Sequence, residues 1–450
     1  MRMRKQPGRT GTSLALALLF GTTHAQAGSA DPAAAPPAQA LTIEQCMARA
    51  RQAGPAVVAT RLDQRTAWSD SIATSHNRRP TYSLIGGALI PSGYDPIMTN
   101  YGDYHVQARA EWPLRDGGVR SLERQRSAIA LDRASVETSL ATRDAAVAAA
   151  HTAIELLRLD ESVRLRETTL AWVQRLAQRM AQGVRAGAHG HGDEQRVLLA
   201  RDALSGDLLT LREAIETTRR ELRRQLDLAP DSEWSIAPPP DHADRAPTSA
   251  DSVTLLHAVL QSPEARAADL ESGARRLEIE EARRKGALEV DLAGDAGLLG
   301  SDVRRAIPDD LLASNPDATF SDRLRRDLGV SVGIELKQPV LDAARPSRIR
   351  AREDAASAST LRAAILRSER ARFGYDLLTH WRVSAARLDS ADASVARAEQ
   401  HVLRLESLFA GGDASLLELL DARQVLDEAR GRGAEARADL RRARYEAEAQ

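Results

Sequence analysis

Each half of the chain contains two segments in which apolar and polar residues alternate, and this pattern predicts four β-strands. The segments are 81–90 and 104–114 in the first half, and 288–298 and 330–336 in the second. Successive side chains of a strand point to opposite faces, so each predicted strand has one apolar face and one polar face. On the second and fourth strands the predicted apolar face carries Tyr104, Val106, Trp112, Val330, Val332, Ile334 and Leu336.

A very long helix is predicted after each pair of strands. The segments 119–183 and 346–409 have no proline beyond the first position. Each is about 65 residues long, which corresponds to roughly 100 Å at 1.5 Å per residue. A glycine-containing tip ends each helix, at 187–192 and at 411–412, and a return helix is predicted from 193 to 228 and from 414 to the end.

The second long helix carries apolar residues at a spacing of seven, which predicts packing along its length. This seam is typical of a coiled coil, and it also fits the core of an ordinary helical bundle. Its residues are Trp381, Leu388, Val395, Val402 and Phe409.

The same order of elements occurs twice, which predicts an internal repeat. A capping-box sequence beginning at Thr42 opens the first repeat, which spans 41–228 and starts with a helix predicted to pass Pro55 and to run to about His76. The second repeat spans 251–450. The strand-to-helix corners correspond as well, with WPLRDGG in the first repeat and QPVLDAA in the second. We predict a Pro-rich linker at 229–250, and expect Pro113 and Pro339 to end their strands and residues 299–328 to form a long polar loop.

The first 27 residues have the pattern of a secretory signal peptide, with a basic start, a short apolar stretch and a small-residue cleavage site, and an Ala/Pro-rich linker follows at 28–40. No segment has the roughly 20 apolar residues that a membrane-spanning helix needs. Any crossing would therefore be made by strands closed into a barrel. Four strands are too few for closure, since about eight is the practical minimum, so a barrel would be shared between chains.

Composition argues against several other classes of protein. The formal net charge is −1, which does not favour nucleic-acid binding. The single cysteine, Cys46, excludes a disulfide within the chain and is expected to be a small buried residue. The sequence has no nucleotide motif and no catalytic constellation, so we expect neither enzymatic activity nor a cofactor.

The repeated corners and the second tip, GDASLLELLDA at 412–422, resemble those of TolC-family outer-membrane efflux proteins over about residues 41–448. The resemblance implies a homotrimer with a shared twelve-stranded barrel in the bacterial outer membrane and a helical barrel in the periplasm. It also implies export of drugs, metals or proteins together with an inner-membrane pump and a periplasmic adaptor. The alternating strands would then present their apolar residues to lipid.

The resemblance also implies which residues border the periplasmic entrance. Glu418 and Asp421 match acidic residues of the family's entrance and share one helix face. The family often ties its gate with a tyrosine and an arginine, and the matching positions hold Phe409 and Ala414. Closure is therefore expected to rest on helix packing through Val402 and Phe409. The tips expected to contact the adaptor contain Gly187, His189, His191, Gly411, Gly412 and Asp413.

Two alternatives follow from the residues alone. His189, His191 and Asp193 offer ligand types that suit a metal ion, although we favour a polar tip that binds no metal. The long helices would also suit a periplasmic coiled-coil scaffold or stalk without a pore. The four amphipathic strands favour the export channel, because a scaffold does not require them.

Overall fold

The computed structural model describes residues 39–89, 103–187, 189–230, 232–240, 244–301, 306–339 and 341–450. The predicted signal peptide, nearly all of the first linker and residues 91–102 of the first strand-to-strand loop lie outside the described residues. Among the described residues, no helix is both long enough and apolar enough to cross a membrane.

The first half contains, in order, β1 (Gln39–Leu41), α1 (Ile43–Ala53), α2 (Pro55–Ser75), β2 (Thr81–Leu89), β3 (Asp103–Asp116), α3 (Val119–Arg185) and α4 (His191–Gln225). The second half contains β4 (Trp234–Ile236), α5 (Ser249–Leu260), α6 (Pro263–Arg284), β5 (Glu289–Ser301), α7 (Asp309–Ser314), α8 (Phe320–Asp327), β6 (Leu328–Lys337), α9 (Arg345–Gly411) and α10 (Leu416–Glu448). Apart from α7 and α8, the two halves have the same order of elements.

The two long helices are confirmed. Helices α3 and α9 each contain 67 residues, or roughly 100 Å at the α-helical rise. Helix α3 packs against α4 to form the first hairpin, and α9 packs against α10 to form the second. Helix α10 also contacts α3, which joins the two hairpins.

The heptad seam of α9 packs against α10. Trp381 and Leu388 contact a cluster that includes Leu440, and Val402 contacts one that includes Leu426. Trp381, Leu388 and Val402 are all buried. Burial of this stripe holds the second hairpin together along its length.

A larger core lies partway along the long helices, where α1, α3, α4, β4 and α10 meet. Ile154, Leu156 and Leu222 are fully buried there. Cys46 is buried in the same cluster, as predicted, and burial raises the pKa of its thiol to about 12. The thiol is therefore uncharged at neutral pH and acts as a small apolar side chain.

Two strand and helix predictions were wrong in detail. The first helix does not run through Pro55, because α1 ends at Ala53 and Pro55 begins α2. Proline lacks the N–H that would continue the helix.

Pro113 does not end its strand, because β3 continues to Asp116 across a register shift. A bulge lets a sheet accept a residue that cannot donate a ladder hydrogen bond.

The polar loop predicted at 299–328 contains regular structure. Strand β5 extends to Ser301, and helices α7 and α8 follow before β6. A capping box at Thr319 and Asp322 begins α8. The two linkers also contain short strands, because β1 pairs in parallel with β4.

Candidate functional site

The four long strands form one antiparallel sheet in the order β2-β3-β5-β6. Facing residues in the register point to the same side, so the pairing fixes which residues share a face. Val106, Leu298 and Leu328 lie in one row, and Trp112, Leu292 and Ile334 lie in another. The residues predicted to share an apolar face therefore do so.

This apolar face is open to the surroundings over most of its area. Val330 and Val332 are each 75% exposed, and Tyr82 and Leu84 are exposed to a similar extent. A continuous exposed apolar surface of this kind is unusual in a soluble monomer and indicates a contact with protein or membrane.

Tyr104 differs from the other residues of the apolar face because α8 covers it. Its hydroxyl donates a hydrogen bond to Asp327 Oδ2 at 2.6 Å, and the Arg323 guanidinium lies 5.2 Å from its ring centre. Arg323 and Asp327 are themselves buried. Gly300 makes room for this contact, because a Cβ there would lie 2.4 Å from Asp327 Oδ2.

The opposite face of the sheet is polar and mainly acidic. Its basic residues are Arg109 and Lys337. Its acidic residues are more numerous: Asp103, Glu111, Asp116, Glu289, Asp291, Asp295 and Glu335. Asp291 lies directly opposite Glu335, a like-charge pair that destabilises a sheet. Such a face favours contact with water, whereas the opposite face favours an apolar environment.

Both edges of the sheet are open in the described part of the chain, since β2 and β6 each have only one neighbouring strand. Unpaired edges present N–H and C=O groups that readily pair with another chain. Four twisted strands are also too few to close on themselves.

The strands meet the long helices at two corners, each built around an aspartate. Asp116 accepts hydrogen bonds from the backbone N–H groups of Gly118 and Arg120 at 2.9 and 2.7 Å. Asp342 accepts one from the Ala344 N–H at 3.2 Å. The first corner needs glycine, because Gly118 has φ +85°, whereas Ala344 has φ −83° and tolerates a side chain.

The hairpin tips lie side by side at the far end of the helices. The His189 ring of the first tip stacks on the Phe409 ring of the second, with ring centres 6.1 Å apart. The first tip is shorter than predicted, since His191 already lies in the first turn of α4. The other predicted tip residues, Gly187, Gly411, Gly412 and Asp413, are exposed.

Glu418 and Asp421 are exposed on α10, close to the second tip. Glu418 Oε2 accepts hydrogen bonds from the N–H and the hydroxyl of Ser415, both at 2.8 Å, and completes the capping box of the helix. These bonds hold the pKa of Glu418 below its ordinary value, so the residue is negatively charged at neutral pH. Glu418 thus combines a structural role with a fixed charge.

Asp193, an acidic residue in the first turn of α4 in the first hairpin, is partly neutralised. Asp193 Oδ1 lies 3.8 Å from an Arg196 guanidinium nitrogen, and His191 Nδ1 lies 3.6 Å from Glu194 Oε2. Among the described residues, no three His, Cys, Asp or Glu side chains have a geometry suited to a metal ion. The metal alternative for this tip therefore gains no support.

A buried polar cluster between the hairpins was missed by the sequence reasoning. Thr169 and Trp172 of α3 contribute to it, and Arg423 and Asp427 of α10 face them. Two sequence separations of seven residues could have indicated this cluster. Thr169 stands seven residues before the buried Leu176, and Arg423 seven residues after the buried Leu416. A polar residue at an apolar heptad position is a signal for such a cluster.

No protein-family model and no curated protein matches this chain. Solved structures of bacterial outer-membrane channels do. The Vibrio cholerae outer membrane protein VceC matches with a TM-score of 0.69 and 16% identity, covering 90% of this chain and 94% of VceC. CusC matches with a TM-score of 0.74 and 13% identity, covering 93% and 94% of the two chains.

The Campylobacter jejuni outer membrane channel CmeC matches with a TM-score of 0.72 and 11% identity, covering 90% of this chain and 84% of CmeC. The chain therefore has the fold of the outer-membrane channels, and the resemblance to the TolC family is confirmed at the level of the fold.

Proposed function

We propose that this chain is one subunit of a homotrimeric export channel in the bacterial outer membrane. Three copies would join their sheets at the open edges of β2 and β6 to form a twelve-stranded barrel. The apolar face would contact lipid and the acidic face would line the pore. The observation that carries this proposal is the two-faced sheet with two open edges, joined directly to helices of about 100 Å.

The helical hairpins would extend into the periplasm as a second barrel, and the two halves of the chain would form an internal two-fold repeat. Their tips would contact a periplasmic adaptor and so connect the channel to an inner-membrane pump. This arrangement suits a tripartite efflux system or a type I secretion system. The predicted signal peptide supports export of the chain itself.

The channel would act as a passive duct without enzymatic activity or cofactor, while the pump supplies the energy and most of the substrate selection. The acidic polar face and the exposed Glu418 and Asp421 would give the duct a negative potential that favours cations. The pump partner would determine whether the cargo is a drug, a metal or a protein.

Membrane fractionation followed by planar-bilayer recording tests this function. We expect the protein in the outer-membrane fraction, with heat-modifiable migration on gels, and discrete conductance steps after reconstitution. Recovery in the soluble periplasmic fraction, with no conductance from the purified protein, would instead support the scaffold or stalk without a pore.

A further inference from the structure

We propose that helix α8 forms a lipid-binding collar on the outside of the barrel, where it binds the phosphate groups of the anionic glycolipid in the outer leaflet of the membrane. The collar consists of α8 (Phe320–Asp327) and the strand residues beneath it, Tyr104 and Gly300. The inference rests on the proposed function, because the apolar face of the sheet contacts lipid only in an assembled channel.

The strand register places α8 on the apolar face of the sheet. Tyr104 of β3 lies directly opposite Gly300 of β5. Val106 and Leu298, two residues along each strand, form the next row on the same face. Helix α8 covers the first row, since Asp327 Oδ2 accepts the hydrogen bond of the Tyr104 hydroxyl and would clash with a Cβ at position 300. The collar therefore lies on the side of the sheet that we assign to lipid.

The collar lies at the end of the sheet away from the long helices. Strand β3 runs from Asp103 to Asp116, and α3 follows the Asp116 end. The strand from Tyr104 to Asp116 spans roughly 40 Å, or about 30 Å across a membrane at the usual tilt of a barrel strand. This matches the thickness of the hydrocarbon core. With the long helices in the periplasm, Tyr104 and α8 lie at the level of the outer-leaflet headgroups.

A buried polar cluster holds α8 in one orientation. Asp327 Oδ2 accepts hydrogen bonds from the Tyr104 hydroxyl at 2.6 Å and from Arg323 Nε at 3.3 Å. Asp327 Oδ1 accepts one from Arg326 Nε at 2.9 Å. Arg323 also donates to the carbonyl of Ala306 at 3.1 Å. Because Arg323 and Asp327 are both buried, these contacts fix the rotation of the helix about its axis.

This rotation points Arg325 away from the sheet. At about 100° per residue, Arg325 lies on the side of the helix opposite Arg323 and Asp327. Arg325 is exposed, and within the described part of the chain its side chain forms no hydrogen bond or salt bridge. Asp322, one turn earlier, is occupied by the N–H and the hydroxyl of Thr319, at 2.8 and 2.7 Å. The Arg325 guanidinium is therefore available to bind a phosphate through two parallel hydrogen bonds.

The two flanks of α8 have the chemistry of a helix that lies in a membrane interface. Phe320 and Leu324 lie on one flank. Asp322 and Arg326 lie on the other. Phe320 is 55% exposed, and Leu328, which follows the helix, is exposed on the apolar face of the sheet. Such a helix places its apolar flank among acyl chains and its cations among headgroups.

The charge of the collar favours a phosphorylated lipid. Helix α8 contains three arginines against two aspartates, and both aspartates are hydrogen-bonded within the chain. The opposite face of the sheet is mainly acidic, so the charge changes sign from the pore side to the lipid side. A ligand that satisfies both the apolar flank and the arginines has acyl chains and phosphate groups, which describes a lipid and not a free anion.

Native mass spectrometry of the detergent-solubilised protein, titrated with diphosphoryl lipid A, tests the collar. Lipid A is the part of the outer-leaflet glycolipid that carries the acyl chains and these phosphates. We expect Arg325→Gln to weaken binding at each collar about fivefold, the effect of one cation beside an anionic membrane surface. The matched control is Arg387→Gln, because Arg387 is an exposed arginine of α9, which we place in the periplasm. This control should bind lipid A as the unmodified protein does.

A second measurement changes the lipid and needs no variant. The unmodified protein should bind diphosphoryl lipid A more tightly than lipid A from which both phosphates have been removed. Equal binding of the two lipids would show that the surface recognises acyl chains alone, and would overturn the phosphate site. Displacement of lipid A by millimolar inorganic phosphate would indicate a site for a free anion, and would overturn the assignment to lipid.

The outcomes separate this inference from the proposed function. If the unmodified protein forms no channel, the proposed function fails and the collar fails with it. If the protein conducts and Arg325→Gln binds lipid A as tightly as Arg387→Gln does, the channel stands and the collar is overturned. A lower mass of the solubilised assembly in Arg325→Gln would show that α8 contacts a neighbouring chain, which also overturns the collar.

Discussion

Val332 of β6 lies directly opposite Gly294 of β5 on the apolar face of the sheet. The preceding residue, Ser331, lies opposite Asp295 on the polar face. Neighbouring positions of one strand thus face two different environments. This contrast allows the orientation of the sheet in the membrane to be tested with matched substitutions.

We predict that Val332→Arg and Ile334→Arg block insertion into the outer membrane, whereas Ser331→Arg is tolerated. An arginine facing lipid costs about 2–4 kcal/mol near the middle of a bilayer, but one facing a water-filled pore does not carry this cost. The amount of heat-modifiable protein in outer-membrane fractions measures the effect. Equal insertion of all three variants would contradict the assignment of the faces.

We predict that Glu418→Gln combined with Asp421→Asn weakens cation preference. Glutamine can still complete the capping box with Ser415, so the variant removes charge without uncapping α10. Loss of the carboxylates should also raise the conductance of a crowded entrance at rest. Asp193→Asn should have a smaller effect, since Arg196 already offsets that charge.

Reversal potentials in a salt gradient measure this selectivity. An unchanged reversal potential in the double variant would show that the two carboxylates belong to an ordinary solvated helix surface.

We predict that Tyr445→Phe lowers stability, and does so more at neutral pH than in acid. The Tyr445 hydroxyl donates a hydrogen bond to Glu44 Oε1 at 2.5 Å and joins the first helix to the last. Burial would raise the pKa of Glu44, but hydrogen bonds, first that of Tyr445, outweigh it and hold this pKa below the ordinary 4.5. The stabilisation is therefore present above pH 4.5 and is lost as the pH falls through the lowered value.

Thermal unfolding followed by far-UV circular dichroism checks this prediction. We expect a loss of about 1 kcal/mol at neutral pH, modest because Glu44 is exposed. Tyr375→Phe is the control, because Tyr375 is 61% exposed. A deficit in Tyr445→Phe that is the same at neutral and acid pH would show that the bond to charged Glu44 contributes nothing.

We predict that Gly117→Ala destabilises the first strand-to-helix corner, whereas Ala344→Gly has little effect on the second. Gly117 has φ +61°, and a Cβ there would lie 2.4 Å from that of Ala287. The left-handed conformation alone costs an alanine about 1–2 kcal/mol. Melting temperatures of the assembled protein measure the difference, and an unchanged value for Gly117→Ala would show that the corner can rearrange without cost.

The sequence predicted the elements whose pattern is periodic and local. The alternation in β6 placed Val332 and Ile334 on one face, and the capping-box sequence placed the start of α1 at Thr42. The heptad seam correctly predicted a buried stripe on α9. Each of these depends on residues within a few positions of one another.

Features that depend on distant contacts could not be predicted in this way. Thr169 and Asp427 are 258 residues apart, and only the packing of α3 on α10 brings them together. Strands β1 and β4 are three residues each and form because they pair with each other. The bulge after Pro113 is set by its neighbour β5, so the strand continues where the local signal predicted an end.

The central claim is that three chains share one barrel, and the molecular mass of the detergent-solubilised protein tests it most directly. Light scattering, corrected for detergent, should give a protein mass of three chains, with the β content of the four-stranded sheet retained in circular dichroism. A stable monomer with the same β content would contradict the account, because its sheet edges would then need no partner chain.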